Sequence, residues 1–262
     1  MIHHPISFSQ YCALDGINNS FLKHIDKSPA HLRWHQAHPT VPTPEMLKGS
    51  LTDHLFFGTE FNYVVSPYDD FRKKEAQQWR DETEASGVHV FKQTSVDEVS
   101  RMVASIRNSP TVAEILRAGR SQVAVRDNLD ADGTLVQAKC LIDWVSDEYA
   151  ILADLKTTGD ASEDTFRRHV VNMGYDVQAA MYVDLWKAAT GEELPFLWIV
   201  TESEEPHATA LYQASKDSLA RGRAILKARL RKYAICLSAN RWDSYPENPV
   251  TLEPPTWAMM KE

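Results

Sequence analysis

The stretch "YAILADLKTTGDA" (Tyr149–Ala161) begins as an apolar strand and carries two opposite charges. Its first seven residues are rich in Ile, Leu and Ala, which favours a buried β-strand. Asp154 and Lys156 nevertheless stand two positions apart, and because strand side chains alternate, both point to the same face. Burying such charges costs several kcal/mol unless they are paired or hold a metal ion. The strand therefore predicts an ion pair or a metal site.

A second strand with a lone carboxylate precedes it in "KCLIDWV" (Lys139–Val145). If the hairpin turn is centred between Glu148 and Tyr149, antiparallel pairing places Asp143 directly opposite Asp154. Directly opposed side chains have Cβ atoms about 4.5–5.5 Å apart, so the two carboxylates repel each other. The other face of the two strands is then expected to be apolar, with Ile142, Trp144, Ile151, Ala153 and Leu155.

Two facing carboxylates need a cation, a shared proton or water between them. Magnesium fits this role because it prefers oxygen ligands and is commonly held by one or two carboxylates and a substrate phosphate. A neighbouring lysine such as Lys156 can orient the attacking water, so the arrangement is typical of a phosphodiesterase. The alternative is a partly exposed salt bridge between Lys156 and one carboxylate.

The remaining patterns predict a single globular domain over residues 1–262, mainly helical in 1–118 and with a strand-containing core in 119–262. In the first part, Thr43, Pro44 and Gly58 delimit a helix over "PEMLKGSLTDHLFF". In the second part, three antiparallel strands are separated by the turn clusters "NLDADG" and "SDE". Helices "SEDTFRRHVVN" and "DVQAAMYVDLWKAAT", strands "PFLWIVTE" and "HATALYQ", and a long helix follow. The predicted fold class is mixed α/β, a central mixed sheet flanked by helices.

Composition excludes several classes of protein. The cysteines Cys12, Cys140 and Cys236 are dispersed, which argues against a disulfide framework and against a zinc or iron–sulfur site. The net charge of −8 argues against general adhesion to nucleic acid but permits a local basic surface. With no signal-like N-terminus and no apolar run of about 18 residues, we expect a cytoplasmic protein without a membrane partner.

The order and spacing of these motifs resemble the PD-(D/E)xK nuclease superfamily. "CLIDWV" followed by "ADLKTT" resembles its core, while "GSLTDHLFFG" and "YDVQAAMY" resemble the RecB-like branch and, within it, the RecE-type exonucleases (exonuclease VIII). An early "NNSFLKHIDKSPAHLRW" and a late "PTWA" extend the resemblance over nearly the whole chain. The resemblance implies a restriction-endonuclease-like core with an N-terminal helical part.

The resemblance also implies the site residues. Magnesium, or manganese as a substitute, would be held by His54, Asp143, Asp154 and the backbone carbonyl of Leu155. Lys156 would position the attacking water, and Gln178 and Tyr182, at i and i+4 of one helix, would line the site. From the residues alone, His54 could instead be a core histidine among leucines, and Gln178 and Tyr182 could be packing residues with polar tips.

One departure concerns the number of metals. Many RecE-like relatives have an acidic residue just before the strand written here as "SQVAV", where this chain has Arg120 and Ser121. The departure favours one-metal over two-metal catalysis.

Basic residues near two helices are candidates for DNA contacts. Arg221, Arg223 and Lys227 belong to a run of seven basic residues against one acid in the long helix, which could guide a phosphate backbone or be a solvated face. Arg167 and Arg168 follow the D-x-K strand and are closer to the predicted chemistry. The resemblance implies a homo-oligomeric ring around duplex DNA, whose inward basic channel would be compatible with the acidic net charge.

The function implied by the resemblance is a magnesium-dependent exodeoxyribonuclease. It would digest one strand of linear double-stranded DNA from its ends, 5′ to 3′, and leave 3′ overhangs for a single-strand annealing protein of RecT type. One alternative is a structure-specific or Cas4-like nuclease, although a Cas4-like protein needs four cluster-binding cysteines. Another is a catalytically silent DNA-end-binding protein, against which the intact Asp143, Asp154 and Lys156 set argues.

Overall fold

The computed structural model describes residues 1–38 and 40–255. Within them the helices are α1 (Phe8–Ala13), α2 (Asn19–Leu22), α3 (Pro29–Ala37), α4 (Pro44–Phe57), α5 (Lys74–Ala85), α6 (Gln93–Asn108), α7 (Pro110–Ile115), α8 (Glu163–Asn172), α9 (Tyr175–Thr190) and α10 (Lys216–Ala239). A 3-10 turn, Lys23–Asp26, joins α2 to α3. The strands are β1 (Ile2–His3), β2 (Tyr63–Val65), β3 (His89–Phe91), β4 (Gly119–Ala131), β5 (Thr134–Ser146), β6 (Ile151–Thr158), β7 (Phe196–Glu202) and β8 (Thr209–Gln213). Positions 256–258 of the "PTWA" motif lie outside the described residues.

The predicted mixed sheet flanked by helices is confirmed. Six strands form one sheet in the order β1-β4-β5-β6-β7-β8, antiparallel except for the parallel pair β6–β7. Parallel neighbours need a long crossover, and α8 and α9 supply it. Buried residues of α9 and α10 cover one face of the sheet. Residues of α4, α6 and α7 pack on the other face, against Ala153, Leu155 and Ile199.

The β4–β5 hairpin differs from the prediction, because "NLDADG" is mostly strand. The ladder continues to Ala131↔Thr134. The turn consists of Asp132 and Gly133 alone, at φ 57° and 85°, as the right-handed strand twist favours for a two-residue hairpin. Leu129 and Ala131 are buried, so the polar run is an alternating strand with every second residue in the core.

The β5–β6 hairpin has the predicted register. Trp144 pairs with Ala153, Val145 with Leu152 and Ser146 with Ile151, so the next step along the strands places Asp143 opposite Asp154. The β5–β6 ladder ends at this point. Beyond it β5 continues to pair with β4, and β6 continues to pair with β7.

The two strands diverge because their side chains enter different cores. Ile142 packs into the core under α9 and α10, whereas Leu155 packs against α6 and α7. The expectation that Ile142 shares an apolar face with Trp144, Ala153 and Leu155 is therefore wrong. The divergence opens a gap between β5 and β6 at the level of the two aspartates.

Helix α4 brings the N-terminal part to this gap. Its predicted limits are confirmed: Thr43 Oγ1 accepts a hydrogen bond from the N–H of Met46, and Gly58 ends the helix in the left-handed region at φ 72°. Leu51 anchors α4 against Val99, Met102 and other buried side chains of α6. The sheet and α6 thus fix which α4 side chains face the strands.

Candidate active site

The centre of the site is a carboxylate pair at the gap between β5 and β6. The carboxylate of Asp154 is 2% exposed, and its Oδ2 lies 2.5 Å from the Nζ of Lys156. Asp143 Oδ2 accepts a hydrogen bond of 3.0 Å from the backbone N–H of Leu155. The structure therefore brings together Asp143, Asp154 and Lys156, as the strand pattern predicts.

A third carboxylate, Asp53 of α4, joins this pair. Burial and, secondly, the charge of Asp154 raise the pKa of Asp53 to about 7 against the opposing effect of Lys156. Burial also raises the pKa of Asp143 well above its ordinary value, with further contributions from Asp154 and Asp53. The three carboxylates thus lie close enough to disfavour one another's charge.

Asp53 is absent from the predicted site residues, among which His54 is the residue of α4. In "GSLTDH" the residue four positions after Gly49 is Asp53, and His54 is one position further. Counting the Gly-x-x-x spacing strictly, and noting that a carboxylate stands at that place, would have identified it.

His54 itself lies outside the carboxylate group. Its Nδ1 faces the carbonyl oxygen of Thr59, and its ring packs against Phe61 and Tyr63. Successive residues of an α-helix point about 100° apart, so a helix that directs Asp53 to the strands must direct His54 elsewhere. These contacts match the alternative, a histidine satisfied within its own packing, and the assignment of His54 as a metal ligand stays a prediction.

Helix α9 supplies the polar side chains on the other side of Asp154. Gln178 Nε2 donates to Asp154 Oδ1 at 3.2 Å and lies 3.1 Å from the hydroxyl of Tyr182. Burial raises the pKa of Tyr182 well above its ordinary value, as do neighbouring anionic groups, first among them Asp154. Gln178 and Tyr182 thus lie where the resemblance implies, and Gln178 holds one oxygen of Asp154 in place.

Lys156 remains an ammonium in this setting. Burial alone would lower its pKa, but the charges of Asp154 and Asp143 outweigh this effect and raise it. The Nζ also lies 4.7 Å from the ring centroid of Tyr175, an attractive cation–π contact. A protonated lysine donates hydrogen bonds and stabilises negative charge, so Lys156 is suited to orient a water molecule.

Gln122 of β4 also reaches the site. It has φ 52° and interrupts the ladder between Ser121↔Trp144 and Val123↔Ile142. Its Nε2 lies 3.5 Å from Asp143 Oδ1, while Arg120 pairs with Asp147 at 2.9 Å. The β4 group beside Asp143 is therefore an amide rather than an additional carboxylate.

The carboxylate group opens into a cleft of about 860 Å³. Asp53, Gln122 and Asp143 line the cleft, together with the aromatic rings of Phe8 and Phe61. Segment 4–10, α4, β4 and β5 form its walls. A substrate in this cleft would reach Asp143 and Asp53 directly.

The donor set fits a hard divalent cation. Three carboxylates face one ammonium, so the anionic oxygen ligands outnumber the cations that neutralise them. Across residues 1–38 and 40–255, no three acidic, His or Cys side chains converge as a ready metal site. Asp143 and Asp154 instead turn to Leu155 and Lys156, so holding an ion requires their side chains to rotate.

The backbone at Leu155 offers a further oxygen. Leu152 donates its N–H to Pro195 on the β7 side, and Leu155, three residues on, donates to Asp143 on the β5 side. The carbonyl of a strand residue points to the same side as its N–H. The carbonyl of Leu155 therefore faces the gap beyond the end of the β5–β6 ladder.

Comparison with known families agrees with this geometry. Residues 18–250 match the family described as a PDDEXK-like domain of unknown function (DUF3799). The chain belongs to this family. No curated protein matches the chain significantly.

Solved structures show the fold of this PDDEXK-like chain in other proteins. A crystal structure from Eubacterium rectale, of a protein provisionally named an exonuclease, has a TM-score of 0.66 and 14% identity over 98% of both chains. At that identity the likeness concerns the fold alone. A phage-related exonuclease from Haemophilus somnus 129PT, also 14% identical, covers 86% of this chain and 96% of its own, but its TM-score of 0.35 is too low to support an argument.

The predicted DNA contacts on α10 of the PDDEXK-like chain have partners within the chain. Arg221 pairs with the buried Asp176, and Arg223 lies 2.8 Å from Asp184 and 2.9 Å from Glu193. Lys227 lies 2.6 Å from Asp132. These ion pairs hold α10 against neighbouring elements, and a DNA contact of Arg221, Arg223 and Lys227 stays a prediction.

The two arginines of α8 differ from each other. Arg167 pairs with Glu163 one turn away, whereas Arg168 donates to the hydroxyl of Thr165 at 3.3 Å. Arg168 stays a predicted DNA contact. No helix in the described part of the chain is long and apolar enough to cross a bilayer.

Proposed function

We propose that this chain is a magnesium-dependent exodeoxyribonuclease that degrades one strand of linear double-stranded DNA from its ends. Membership of a PDDEXK-like family supports a nuclease. The observation that carries the proposal is the position of Asp143 and Asp154 on neighbouring strands that diverge at that level, with Lys156 beside them. After rotation of their side chains, the two carboxylates would hold an ion that also binds a phosphate.

Each residue has a part in the proposed reaction. Asp143, Asp154, Asp53 and the carbonyl of Leu155 would hold the ion, which when bound polarises the phosphoryl group and lowers the pKa of water. Lys156, kept protonated, orients the attacking water and stabilises negative charge on the phosphate. Gln178 fixes Asp154, and Tyr182 lies against Gln178. The cleft beside Asp143 admits the DNA strand.

The finer features of the proposal rest on the motif resemblance. These are the RecE-type assignment, the 5′-to-3′ direction, the 3′ overhangs, a RecT-type annealing partner and a homo-oligomeric ring. Manganese is proposed to replace magnesium because it accepts the same oxygen ligands.

The test compares linear and closed circular duplex DNA with magnesium, with manganese and with chelator. We expect loss of linear DNA only when a metal is present, and no loss of circular DNA. Labels at the 5′ and 3′ ends report the direction of degradation. Degradation of circles, or of linear DNA in chelator, would contradict the proposal.

A variant separates catalysis from binding. Asp154→Asn keeps the side-chain shape and its hydrogen bond to Gln178 but removes the charge, so cleavage should fall more than about 100-fold while the melting curve stays cooperative. Asp15→Asn, at a position 85% exposed, is the matched control and should cleave normally. A wild-type protein that binds DNA ends but never cleaves them would instead identify a silent end-binding protein.

A further inference from the structure

Two exposed lysines at the 3-10 turn carry charges that no ion pair in the described part of the chain neutralises. Lys23 and Lys27, in and just after the 3-10 turn, are exposed and form no ion pair within the described residues. The acid between them, Asp26, is held by Arg229 at 3.0 Å. Its charge is therefore compensated, and the two lysines give this surface a net positive charge on an acidic protein.

Aromatic and imidazole rings extend this surface along α3. His24 stacks on His35 with ring centroids 3.6 Å apart, and Trp34 packs edge-on against His35 at 5.0 Å. Trp34 is 56% exposed. We define the lysine–histidine face by these residues together with the neighbouring histidine, that is, by Lys23, His24, Lys27, His31, Trp34 and His35.

At neutral pH the lysines carry the charge of this face. Burial, together with the neighbouring His35, Lys23 and His31, lowers the pKa of His24 to about 4. His31 also has a lowered pKa, by partial burial and then by Lys27 and His35. The rings of His24 and His31 thus act as flat, polar, uncharged surfaces beside the two lysines.

The lysine–histidine face lies beside the helix that serves the catalytic centre. Lys23 and His24 line a pocket of about 270 Å³ together with Gly174 and Val177 at the start of α9. The next residue after Gly174, Tyr175, contacts Lys156, and Gln178 one turn later contacts Asp154. A polyanion on this face would therefore continue past the end of α9 that borders the site.

We infer that the lysine–histidine face binds the phosphate backbone of the duplex DNA substrate, with Lys23 and Lys27 on phosphates and Trp34 against the sugar-phosphate chain. The inference rests on the proposed function. Duplex DNA is the occupant because its backbone is recognised by unpaired cations on an exposed face, whereas a single strand is bound in a groove. On α10, by contrast, Arg221, Arg223 and Lys227 have carboxylate partners.

The test measures binding of a fluorescent linear duplex to the Asp154→Asn protein over a range of salt concentrations. Lys23→Ala/Lys27→Ala should weaken binding about tenfold and reduce the slope of log K against log salt by about 1.8, since each lost phosphate contact removes about 0.9. Trp34→Ala should weaken binding without changing the slope, because it neutralises no phosphate. Melting curves of both variants should match that of the Asp154→Asn parent.

A matched control comes from α5, where Lys73 and Lys74 are also exposed and form no ion pair in the described part of the chain. Lys73→Ala/Lys74→Ala should bind like the parent. If Lys23→Ala/Lys27→Ala and Lys73→Ala/Lys74→Ala show the same slope of log K against log salt, the inference is overturned. The lysine–histidine face would then bind another partner, such as an acidic protein segment. If the Asp154→Asn parent fails to bind duplex DNA at all, the proposed function fails first.

Discussion

Asp53 and His54 are neighbours whose side chains reach different surroundings. The carboxylate of Asp53 adds to the charge around Asp154, whereas the ring of His54 lies between Thr59, Phe61 and Tyr63. Replacing Asp53 should therefore affect cleavage, and replacing His54 should affect packing around α4.

We expect Asp53→Asn to lower cleavage by at least about 10–100-fold, the range seen when the ligands around a metal are disturbed. His54→Ala should keep cleavage within a few-fold but lower the free energy of unfolding by about 1 kcal/mol through lost ring contacts and a lost hydrogen bond. Rates on linear duplex DNA and urea unfolding check both variants. If His54→Ala lost cleavage and Asp53→Asn kept it, His54 would be the ligand instead.

Asp53→Asn is also expected to stabilise the metal-free protein. The pKa of Asp53 in the folded state, about 7, exceeds its unfolded value, so the folded protein binds more protons and loses stability as pH rises from about 4 to 7. In chelator at pH 8 the substitution removes the Asp53 charge, which the other carboxylates repel. The melting temperature should rise by about 2–4 °C for each kcal/mol gained in the free energy of unfolding. At pH 5 the gain should be smaller, and a gain independent of pH would contradict this cause.

At the scale of elements, the contact between α9 and α10 positions Gln178. Gly222 of α10 lies so close to α9 that a Cβ there would be 2.2 Å from the carbonyl oxygen of Asp176. The ion pair of Arg221 with the buried Asp176 joins the two helices at the same place. Because Asp176 and Gln178 belong to the same helix, α10 determines how α9 presents its polar face to Asp154.

Gly222→Ala is expected to lower the free energy of unfolding by about 1–3 kcal/mol, because the two helices must separate. The control is Gly49→Ala in α4, where a Cβ would meet no atom within 4 Å. Alanine there should stabilise the helix by about 0.5–1 kcal/mol. Chemical denaturation of both variants provides the comparison, and equal effects would contradict the close α9–α10 approach.

At the scale of the whole molecule, charges on α10 and on the lysine–histidine face serve different purposes. Arg223 lies between Asp184 and Glu193 and joins α10 to α9 and to the segment before β7. The lysines of the lysine–histidine face have no such partners among the described residues. An acidic protein can thus keep most of its cations for internal pairing and still present a cationic surface.

Arg223→Ala should therefore lower stability by about 1 kcal/mol, as expected for a partly exposed ion-pair network, and leave the salt slope of duplex binding unchanged. Arg168→Ala, which removes a cation without a carboxylate partner, should change stability by less than about 0.5 kcal/mol. Thermal melts and binding titrations on the Asp154→Asn background measure both quantities. A reduced salt slope of duplex binding for Arg223→Ala would show that α10 contacts the DNA.

Local pattern was enough to predict the strands, the β5–β6 register and the pair Asp143 and Asp154, because alternation and turn position are properties of consecutive residues. The predicted turn at "NLDADG" is wrong, because burial of Leu129 and Ala131 overrides the turn preference of the polar residues. The positions of Gln178 and Tyr182 came from the motif resemblance.

Nearby residues are enough to specify the β5–β6 hairpin, the helix limits at Thr43 and Gly58, and the acid–acid–lysine set. The contact of Asp53 rather than His54 with the strands depends on tertiary packing, because the rotation of α4 is fixed by its contacts with α6 and the sheet. Packing also decided that Arg221, Arg223 and Lys227 find internal partners while Lys23 and Lys27 do not. Which charges are neutralised depends on carboxylates that lie far away in the chain and close in space.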